Sequence, residues 1–472
     1  MKMCIGGKWI DKSQKINVIH PYDNSVIDTV PHATLTDVDA ALSAAVRGAK
    51  LMAQLTAWER CQILAKAAEK LESRAEEFTR TITLEEGKVI AESRFEVSRA
   101  VQTFILSAEE AKRIHGETVP LDATPGVKNQ MGFTLRVPCG VVVAITPFNF
   151  PLNLVAHKVA PALAAGNAVV IKAPSTTPLS ALKLTELLFE CGLPSEAISC
   201  LTGPGGELGD ALCSDKRVRK ITFTGSVPVG ERICRTAGIK KVTMELGSNS
   251  PIIVMADADL NKVAEAIAAT GYSNAGQVCI STQRVLAQHK VYEDLLEASK
   301  TKVAALTTGN PVDEKTKVGP MIREQEAIRV EQWISEAVRQ GGRIITGGAR
   351  RGAMYLPTIV ADVKPDMRIS CDELFGPAVA FTPFQDIDEA LALANSSRYG
   401  LAAGVFTESV DTAMKFAREL ETGNIHINWG PAWRADLMPY GGLKESGFGK
   451  EGPRYAVEEM TELKMVVFHL KN

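Results

Sequence analysis

Short apolar runs alternate with amphipathic stretches along the chain from Gly140 onward. The runs GVVVAI, NAVVIK, AISCLTG, KITFTG and KVTMELG are rich in β-branched residues, and helical patterns such as PLSALKLTELLFECG stand between them. Strands this apolar are typical of a parallel sheet that is covered on both faces. The pattern therefore predicts an α/β fold whose first unit is Rossmann-like and doubly wound.

The segments on either side of this region have periodic patterns of their own. Before Gly140, residues 35–51 and 58–86 have apolar positions that recur at intervals of three and four, which predicts long helices packed on the sheet. After Gly247, the strand-like SPIIVM and RVLAQ flank the helical ADLNKVAEAIAATGYSNAG, and similar elements continue to about Trp429. A second α/β unit follows the first, and two units of similar size imply a cleft between them.

Two further segments read as strands without a partner in either unit. They are TPGVKNQMGFTLRVP (124–138) and ELKMVVFHL (462–470). Pairing with each other, or with another subunit, would hide their open edges. We therefore predict a first domain of residues 1–123 and 139–246, a second domain of residues 247–432, and a small β bridging element of residues 124–138 and 455–472. The open edges also predict a homodimer or homotetramer.

Composition excludes several classes of protein. The formal net charge is −2, and no lysine- or arginine-rich run is present, so we expect neither a nucleic-acid partner nor an anionic membrane surface. The nine cysteines form no C-x-x-C pair, which fits neither a metal site nor a disulfide framework. No apolar signal core or membrane span is apparent, and we expect a cytoplasmic protein.

Polar residues follow the strands of the first unit where a ligand would bind. TPFNF follows the first strand, Lys172 ends the second, TGPGGELG and TGSVPVG follow the next two, and Glu245 ends the fifth. In open α/β sheets, ligands bind at the carboxyl ends of the strands, and a helix N-terminus attracts phosphate. GPGGELG departs from the G-x-G-x-x-G spacing by one residue, so an ordinary strand-to-helix turn stays an open alternative.

Cys279 lies in the polar stretch SNAGQVCIS, and by itself it is either a nucleophile or a small buried hydrophobe. The motifs around it occur in a specific order: ITPFNFPLNLVAHKVAPALAAGNAVVIKAPSTTPLSA, FTGSVPVG, MELGSNSP, GQVCIS and DELFGPAV. Together they resemble the aldehyde dehydrogenase superfamily over nearly the whole chain, from PYDNSVIDTVPHAT to PYGGLKESGFGKEG. The hydrolytic branch is indicated, near lactaldehyde dehydrogenases and non-phosphorylating glyceraldehyde-3-phosphate dehydrogenases.

The resemblance implies a catalytic set of four residues. Cys279 would add to the aldehyde, because hydride leaves a tetrahedral alkoxide more readily than an sp² carbon. The Asn149 amide and the Cys279 backbone N–H would form the oxyanion hole. Glu245 would be the base that activates water against the thioester, and Lys172 would contact the cofactor ribose. The structural alternatives are a turn-stabilising Asn149, an ion-paired Glu245 and a solvated Lys172.

The resemblance also implies NAD or NADP as cofactor. The residues expected to contact it are Ile145, Thr146, Pro147, Phe148, Lys172, Ser175, Gly205, Thr224, Gly225, Ser226, Val229, Leu246, Glu373 and Phe375. Relatives that prefer NAD often carry a glutamate where this chain has Ser175. Because a glutamate would repel a 2′-phosphate and a serine would not, Ser175 predicts that NADP is tolerated.

Three residues are candidates for recognising the substrate. Arg99, His157 and Arg434 are expected to converge on the substrate tunnel, although each alone could be a structural or surface residue. Arginine holds anions in a bidentate fork, so a small aldehyde with an anionic or hydroxylated tail is indicated. This class includes lactaldehyde, glyceraldehyde 3-phosphate, semialdehydes and phosphono- or sulfo-aldehydes. Val278, where some phosphate-handling relatives carry arginine, leaves the anion open.

Three other functions fit the same motifs in part. Coenzyme-A-acylating relatives release the thioester to a thiol and commonly lack the glutamate base, so Glu245 argues against them. An acyl-phosphate reductase would not need that glutamate either. A non-catalytic binding protein of the same fold is the third alternative, because fold alone does not define function.

Overall fold

The computed structural model describes residues 1–471, which form 15 α-helices and 24 strands. The helices are α1 Leu35–Gln54, α2 Ala57–Ser73, α3 Ala75–Glu86, α4 Ile90–Ala111, α5 Asn153–Ala164, α6 Leu179–Glu190, α7 Gly205–Ser214, α8 Val227–Ala237, α9 Leu260–Gly271, α10 Tyr292–Ala304, α11 Glu324–Arg339, α12 Arg368–Cys371, α13 Ile387–Asn395, α14 Val410–Glu419 and α15 Pro453–Glu459. The strands are β1 Met3–Ile5, β2 Lys8–Ile10, β3 Lys15–Ile19, β4 Val26–Pro31, β5 Thr118–Val119, β6 Gln130–Pro138, β7 Val141–Ile145, β8 Ala168–Lys172, β9 Ile198–Leu201, β10 Lys220–Thr224, β11 Lys241–Glu245, β12 Pro251–Val254, β13 Arg284–Gln288, β14 Arg343–Thr346, β15 Arg350–Arg351, β16 Met354–Tyr355, β17 Thr358–Ala361, β18 Ala378–Phe384, β19 Tyr399–Gly400, β20 Ala402–Phe406, β21 Asn424–Ile427, β22 Leu443–Lys444, β23 Gly447–Phe448 and β24 Thr461–His469.

The first sheet confirms the predicted doubly wound unit. Its strand order is β2-β1-β9-β8-β7-β10-β11-β23, and the strands from β9 to β11 are parallel. The chain winds from β7 to one side through β8 and β9, and then returns to the other side with β10 and β11. The connections leave β7 and β10 in opposite directions, so a crevice opens at their carboxyl ends. The N-terminal β1 extends the sheet antiparallel to β9.

The helices before the first sheet differ from their prediction in two ways. Residues 58–86 form α2 and α3, because the backbone of Arg74 leaves the helical conformation at φ −105° and ψ 19°. The periodicity of apolar positions does not register a break of one residue. In addition, α1 packs on the sheet at β8, whereas α2 and α4 pack on each other and on α5. These two helices therefore form an outer layer.

The second sheet confirms the second α/β unit. Its order is β14-β17-β18-β13-β12-β20-β21, and β14 is the one antiparallel member. Strands β12, β13, β17 and β18 carry buried apolar side chains on a core shared with α9, α10 and α11. The helix predicted to run to Gly276 ends instead at Gly271, and a 3₁₀ turn, Ser273–Gly276, follows it.

The two unpaired segments pair with each other. Strand β24 runs antiparallel to β6 over nine residues, from Thr461 opposite Pro138 to His469 opposite Gln130, and β5 pairs with β6 on its other edge. Apolar side chains stay exposed on this three-stranded sheet, including Leu463, Met465 and Phe468. Within residues 1–471, no helix has the length and apolar character needed to cross a membrane.

Candidate active site

A long cleft lies at the carboxyl ends of the first sheet. Its volume is about 910 Å³, and residues of the second unit form its far wall. All fourteen residues expected to contact the cofactor line it: Ile145, Thr146, Pro147, Phe148, Lys172, Ser175, Gly205, Thr224, Gly225, Ser226, Val229, Leu246, Glu373 and Phe375. Asn149 and Cys279 lie along the same cleft. The structure thus brings the predicted cofactor residues to one surface.

The N-terminus of α8 gives this cleft a place for an anion. Gly225 connects β10 to the N-cap residue Ser226, whose side chain caps no backbone N–H. A Cβ at Gly225 would lie 2.4 Å from the Phe223 ring, so the close turn needs glycine. Free N–H groups and the helix dipole at such an end attract phosphate. The turn at 203–205 likewise leads into α7, which begins at Gly205.

Lys172 and Ser175 lie together on the cleft wall. The buried Lys172 Nζ donates to the carbonyl of Ala173 at 2.9 Å and lies 3.5 Å from the Ser175 hydroxyl, which donates to the Gly203 carbonyl at 2.9 Å. Burial lowers the pKa of Lys172 to about 8. Sequence reasoning missed Arg232, which lines the cleft from α8 and pairs with Asp210.

Glu373 and Phe375 enter the cleft from the second unit. The Glu373 carboxylate accepts the Ser248 N–H at 2.9 Å, and burial raises its pKa to about 7. The Phe375 ring meets Phe148 edge-on, with centroids 6.0 Å apart. Its backbone has φ +48°, an uncommon conformation for an aromatic residue. The turn at Phe375 therefore sets the position of this side of the cleft.

The loop before Cys279 holds a strained backbone in place. Asn274, Ala275 and Gly276 all have positive φ, at 49°, 53° and 71°. Glu92 accepts the Asn274 N–H at 2.9 Å, and Glu86 accepts its Nδ2 at 2.8 Å. Such conformations persist only where surrounding contacts fix them, and they cluster at functional sites. The loop delivers Cys279 to the junction of the cleft and a smaller pocket of about 110 Å³.

Asn149 lies beside this loop. Its Nδ2 donates to the Gln277 carbonyl at 2.8 Å, and its own carbonyl accepts the Lys88 ammonium at 2.6 Å. Lys88 is buried, pairs with Glu96 at 2.5 Å and lies 3.9 Å from the centre of the Phe150 ring. Sequence reasoning missed Lys88, and no motif or spacing pointed to it.

The Cys279 thiol has a tyrosine partner. Its Sγ is 3.1 Å from the Tyr440 hydroxyl. Burial raises the pKa of the thiol to about 12, and the Tyr440 hydrogen bond acts in the opposite direction. Tyr440 belongs to the PYGG segment that carried the family resemblance, but sequence reasoning gave it no role.

Two buried carboxyl groups near Cys279, those of Glu245 and Glu451, differ in how readily they ionise. Both oxygens of Glu245 lack a hydrogen-bond partner within the described residues, and burial, followed by the charge of Glu451, raises the pKa of Glu245 well above its usual range. Glu451 pairs with Lys158 at 2.8 Å and Arg434 at 3.2 Å. Although burial opposes ionisation, these cations lower the pKa of Glu451 to about 2. Glu245 is therefore the carboxyl group that readily holds a proton.

The structure brings two of the three candidate substrate residues into the smaller pocket. Arg99 and Arg434 line it together with Phe150 and Tyr440. His157 does not line it, which corrects the expectation. The eight residues between Asn149 and His157 would place both side chains on one helical face if a helix ran through them, but α5 begins only at Asn153.

His157 instead supports the pocket wall from behind. Its Nε2 is 2.9 Å from Asp436 and its Nδ1 is 3.3 Å from Arg434. Burial and the Arg434 charge lower the pKa of His157 to about 4, so the ring is neutral at physiological pH. The His157 ring thus links the Asp436 carboxylate to the Arg434 guanidinium.

Two α/β units that share a cleft at the switch point of the first sheet, with a cysteine in that cleft, define a dinucleotide-dependent dehydrogenase. The chain belongs to the aldehyde dehydrogenase family, whose sequence profile matches residues 9–466.

Relatives cover nearly the whole chain. The 3-sulfolactaldehyde dehydrogenase of Priestia aryabhattai is 50% identical over 99% of this chain and 98% of that protein. The crystal structure of aldehyde dehydrogenase 21 from Physcomitrella patens, in complex with the reaction product succinate, has a TM-score of 0.97 at 41% identity and covers 99% of this chain and 98% of that one. Glyceraldehyde-3-phosphate dehydrogenase GapN from Methanocaldococcus jannaschii, in complex with NADP, has a TM-score of 0.94 at 37% identity and covers 97% of this chain and 100% of that one.

Proposed function

We propose that this aldehyde dehydrogenase oxidises a small aldehyde with a hydroxyl and an anionic tail, of the 3-sulfolactaldehyde class, to the carboxylate. The observation that carries the proposal is the position of Cys279, at the junction of the cofactor-sized cleft and the small pocket lined by Arg99 and Arg434. The similarity to a 3-sulfolactaldehyde dehydrogenase supports this choice of tail.

Cys279 is the proposed nucleophile. A lone pair of its ionised sulfur forms the bond to the aldehyde carbon, and the carbonyl π pair moves onto the oxygen. The Asn149 amide lies beside the Cys279 loop, and one of its two N–H groups is occupied by Gln277. The other N–H, together with the backbone N–H of Cys279, would hold the oxyanion. A donor of this kind typically stabilises the transition state by about 3 kcal/mol.

The residues of the cleft fit a nicotinamide dinucleotide. The open N-terminus of α8 would meet its pyrophosphate, the buried Lys172 its adenosine ribose, and Glu373 its nicotinamide ribose. The oxyanion pair would re-form the C=O bond and expel hydride, which NAD or NADP accepts when bound, so that Cys279 holds a thioester. Ser175 places no carboxylate near a 2′-phosphate, and the Arg232 guanidinium would exchange its partner Asp210 for that phosphate, so NADP would be accepted.

Glu245 is the proposed base for hydrolysis. Its unpartnered oxygens and raised pKa suit a group that takes a proton from water and later returns it. The resulting hydroxide adds to the thioester carbonyl, the C–S bond breaks with its electron pair on sulfur, and the carboxylate leaves. This carboxyl group supports hydrolysis over transfer to coenzyme A, and the set of reacting groups argues against a binding protein.

A substrate panel tests the proposal directly. NAD and NADP reduction would be followed with 3-sulfolactaldehyde, lactaldehyde, glyceraldehyde 3-phosphate, succinic semialdehyde, phosphonoacetaldehyde and propanal, with and without coenzyme A. We expect 3-sulfolactaldehyde to give the highest kcat/KM and coenzyme A to change nothing. A product that is an acyl-coenzyme A would overturn the hydrolytic assignment.

Assembly and location complete the proposal. Exposed apolar side chains on β24 and the open edges of its sheet support a homodimer or homotetramer joined through residues 124–138 and 455–472. Residues 1–123 with 139–246 would form the cofactor domain and 247–432 the catalytic domain. The nine free cysteines suit a cytoplasmic location.

A further inference from the structure

Tyr440 touches the sulfur on which the proposed function depends. We propose that its hydroxyl is a catalytic donor, which hydrogen-bonds the ionised Cys279 sulfur and holds it ready for attack. This inference rests on the oxidation proposed above. The 3.1 Å contact between Tyr440 Oη and Cys279 Sγ is the only hydrogen bond that either group makes within residues 1–471.

The direction of this hydrogen bond follows from the charge on sulfur. A neutral thiol and a phenol can each donate, but an ionised sulfur has no proton to give. Burial raises the pKa of Tyr440 well above its usual range, and the neighbouring Cys279 and Glu245 act in the same direction. The phenol therefore keeps its proton and must be the donor to the thiolate.

No other side chain of the described residues donates to this sulfur. The Asn149 amide donates to Gln277, and the Lys88 ammonium is held by Glu96 and by a backbone carbonyl. A partly buried thiolate without a donor is costly, and desolvation already raises the pKa of Cys279 to about 12. The Tyr440 hydroxyl is the group that offsets this cost.

Arg434 strengthens the phenol as a donor. Its guanidinium lies 3.9 Å from the centre of the Tyr440 ring, where a cation withdraws electron density from the ring. Glu451 and His157 fix the guanidinium in that place. The buried ion pair of Arg434 and Glu451 therefore influences the Cys279 sulfur through the Tyr440 ring.

No proton or electron passes to or from Tyr440 in this role. Once the sulfur lone pair has formed the C–S bond, the sulfur is a weak acceptor and the hydrogen bond loosens. Loss of the hydroxyl should make the thiolate scarcer and, because its pKa is then higher, more nucleophilic. Below the thiol pKa the smaller thiolate fraction should lower the reaction rate. Above that pKa the greater nucleophilicity should raise it.

The test compares Tyr440→Phe with the wild-type protein in alkylation by short pulses of iodoacetamide between about pH 7 and pH 12, a range that extends to the raised pKa of the Cys279 thiol. Peptide mass spectrometry reports modification at Cys279 among the nine cysteines. Tyr292→Phe is the matched control, because Tyr292 is a buried tyrosine that hydrogen-bonds Asp362 and the Phe381 carbonyl. Binding of NADP, followed by fluorescence, checks that each variant is folded.

We expect the pH midpoint of Cys279 alkylation to rise by about one unit in Tyr440→Phe. The rate at neutral pH should fall roughly threefold, as a Brønsted slope near one half requires, and this deficit should narrow as the pH approaches the wild-type midpoint. A tyrosine that only packs would change the rate by the same factor at every pH, and an unchanged midpoint would overturn the proposal.

A second variant covers the case in which Tyr440→Phe does not fold. Replacement of Tyr440 by a fluorinated tyrosine keeps the ring and makes the hydroxyl a stronger donor, so the midpoint should fall. A midpoint that stays or rises would contradict the proposal. Alkylation needs no substrate, so failure of the aldehyde assay in the wild-type protein would sink the proposed function separately.

Discussion

The Arg99 guanidinium forms a two-point ion pair with Asp436, with Nη2 2.8 Å from Oδ1 and Nε 3.3 Å from Oδ2. Asp436 also accepts from His157 at 2.9 Å, and its pKa is lowered by His157 and Arg99 although burial opposes ionisation. The positive charge that the sequence predicted for the pocket is therefore already balanced. An anionic substrate must compete with Asp436 for Arg99.

The first prediction concerns this competition. Asp436→Asn should raise kcat/KM for 3-sulfolactaldehyde relative to propanal by roughly threefold or more, because Arg99 then has no carboxylate partner. Arg99→Ala should lower the same ratio by about tenfold. Arg94→Ala is the control, since Arg94 lies on the same helix and pairs with Glu314 on the surface. Equal effects on both aldehydes would mean that the pocket selects by size.

The second prediction concerns the cofactor. Ser175→Glu should raise KM for NADP at least about tenfold and change KM for NAD much less, because like charges that face each other in a binding site repel. Arg232→Ala should also weaken NADP selectively, whereas the exposed Arg235→Ala on the same helix should not. Steady-state kinetics with both cofactors decide the matter. A wild-type protein that does not use NADP would refute this prediction.

The third prediction concerns the stability cost of Glu245. Its pKa is raised in the folded protein, so between the unfolded and folded values the native state holds a proton that the unfolded chain has lost. Stability falls as pH rises through that window. Glutamine does not titrate, so the Glu245→Gln variant should not lose stability as the pH rises through this window. Its Tm should exceed the wild-type Tm by about 1 to 3 °C at pH 8 and by less at pH 5. Calorimetry at the two pH values measures it, and a difference independent of pH would contradict the assignment.

The fourth prediction concerns assembly. Removing residues 462–472 deletes most of β24 and leaves β6 with an open edge, so light scattering should show smaller particles. A milder variant, Met465→Lys, places a charge on an exposed apolar position of the same strand. Lys464→Ala, at the neighbouring exposed position, is the control and should assemble normally. A wild-type protein that is already a fully active monomer would exclude this interface.

The sequence predicted the two sheets and the cleft, which depend on local pattern and on strand order. Apolar runs identified both sheets, and the polar residues after β7, β8, β10 and β11 identified the cleft, because parallel strands bring their carboxyl ends to one edge. It did not predict Lys88 or Asp436. Lys88 contacts Asn149 across 61 residues, and Asp436 contacts Arg99 across 337. Pairings at such separations depend on tertiary packing, which no local pattern encodes.

The reaction order of Cys279 and Glu245 gives the most direct test. Glu245→Gln would be mixed rapidly with 3-sulfolactaldehyde and NADP, and nicotinamide absorbance followed from the first milliseconds. We predict a burst of about one reduced nicotinamide per active site, then turnover slower by roughly a hundredfold or more, because thioester hydrolysis has lost its base. Cys279→Ala should give no burst. A Glu245→Gln variant that turns over at the wild-type rate, or a burst that survives Cys279→Ala, would contradict covalent catalysis at Cys279 with hydrolysis by Glu245.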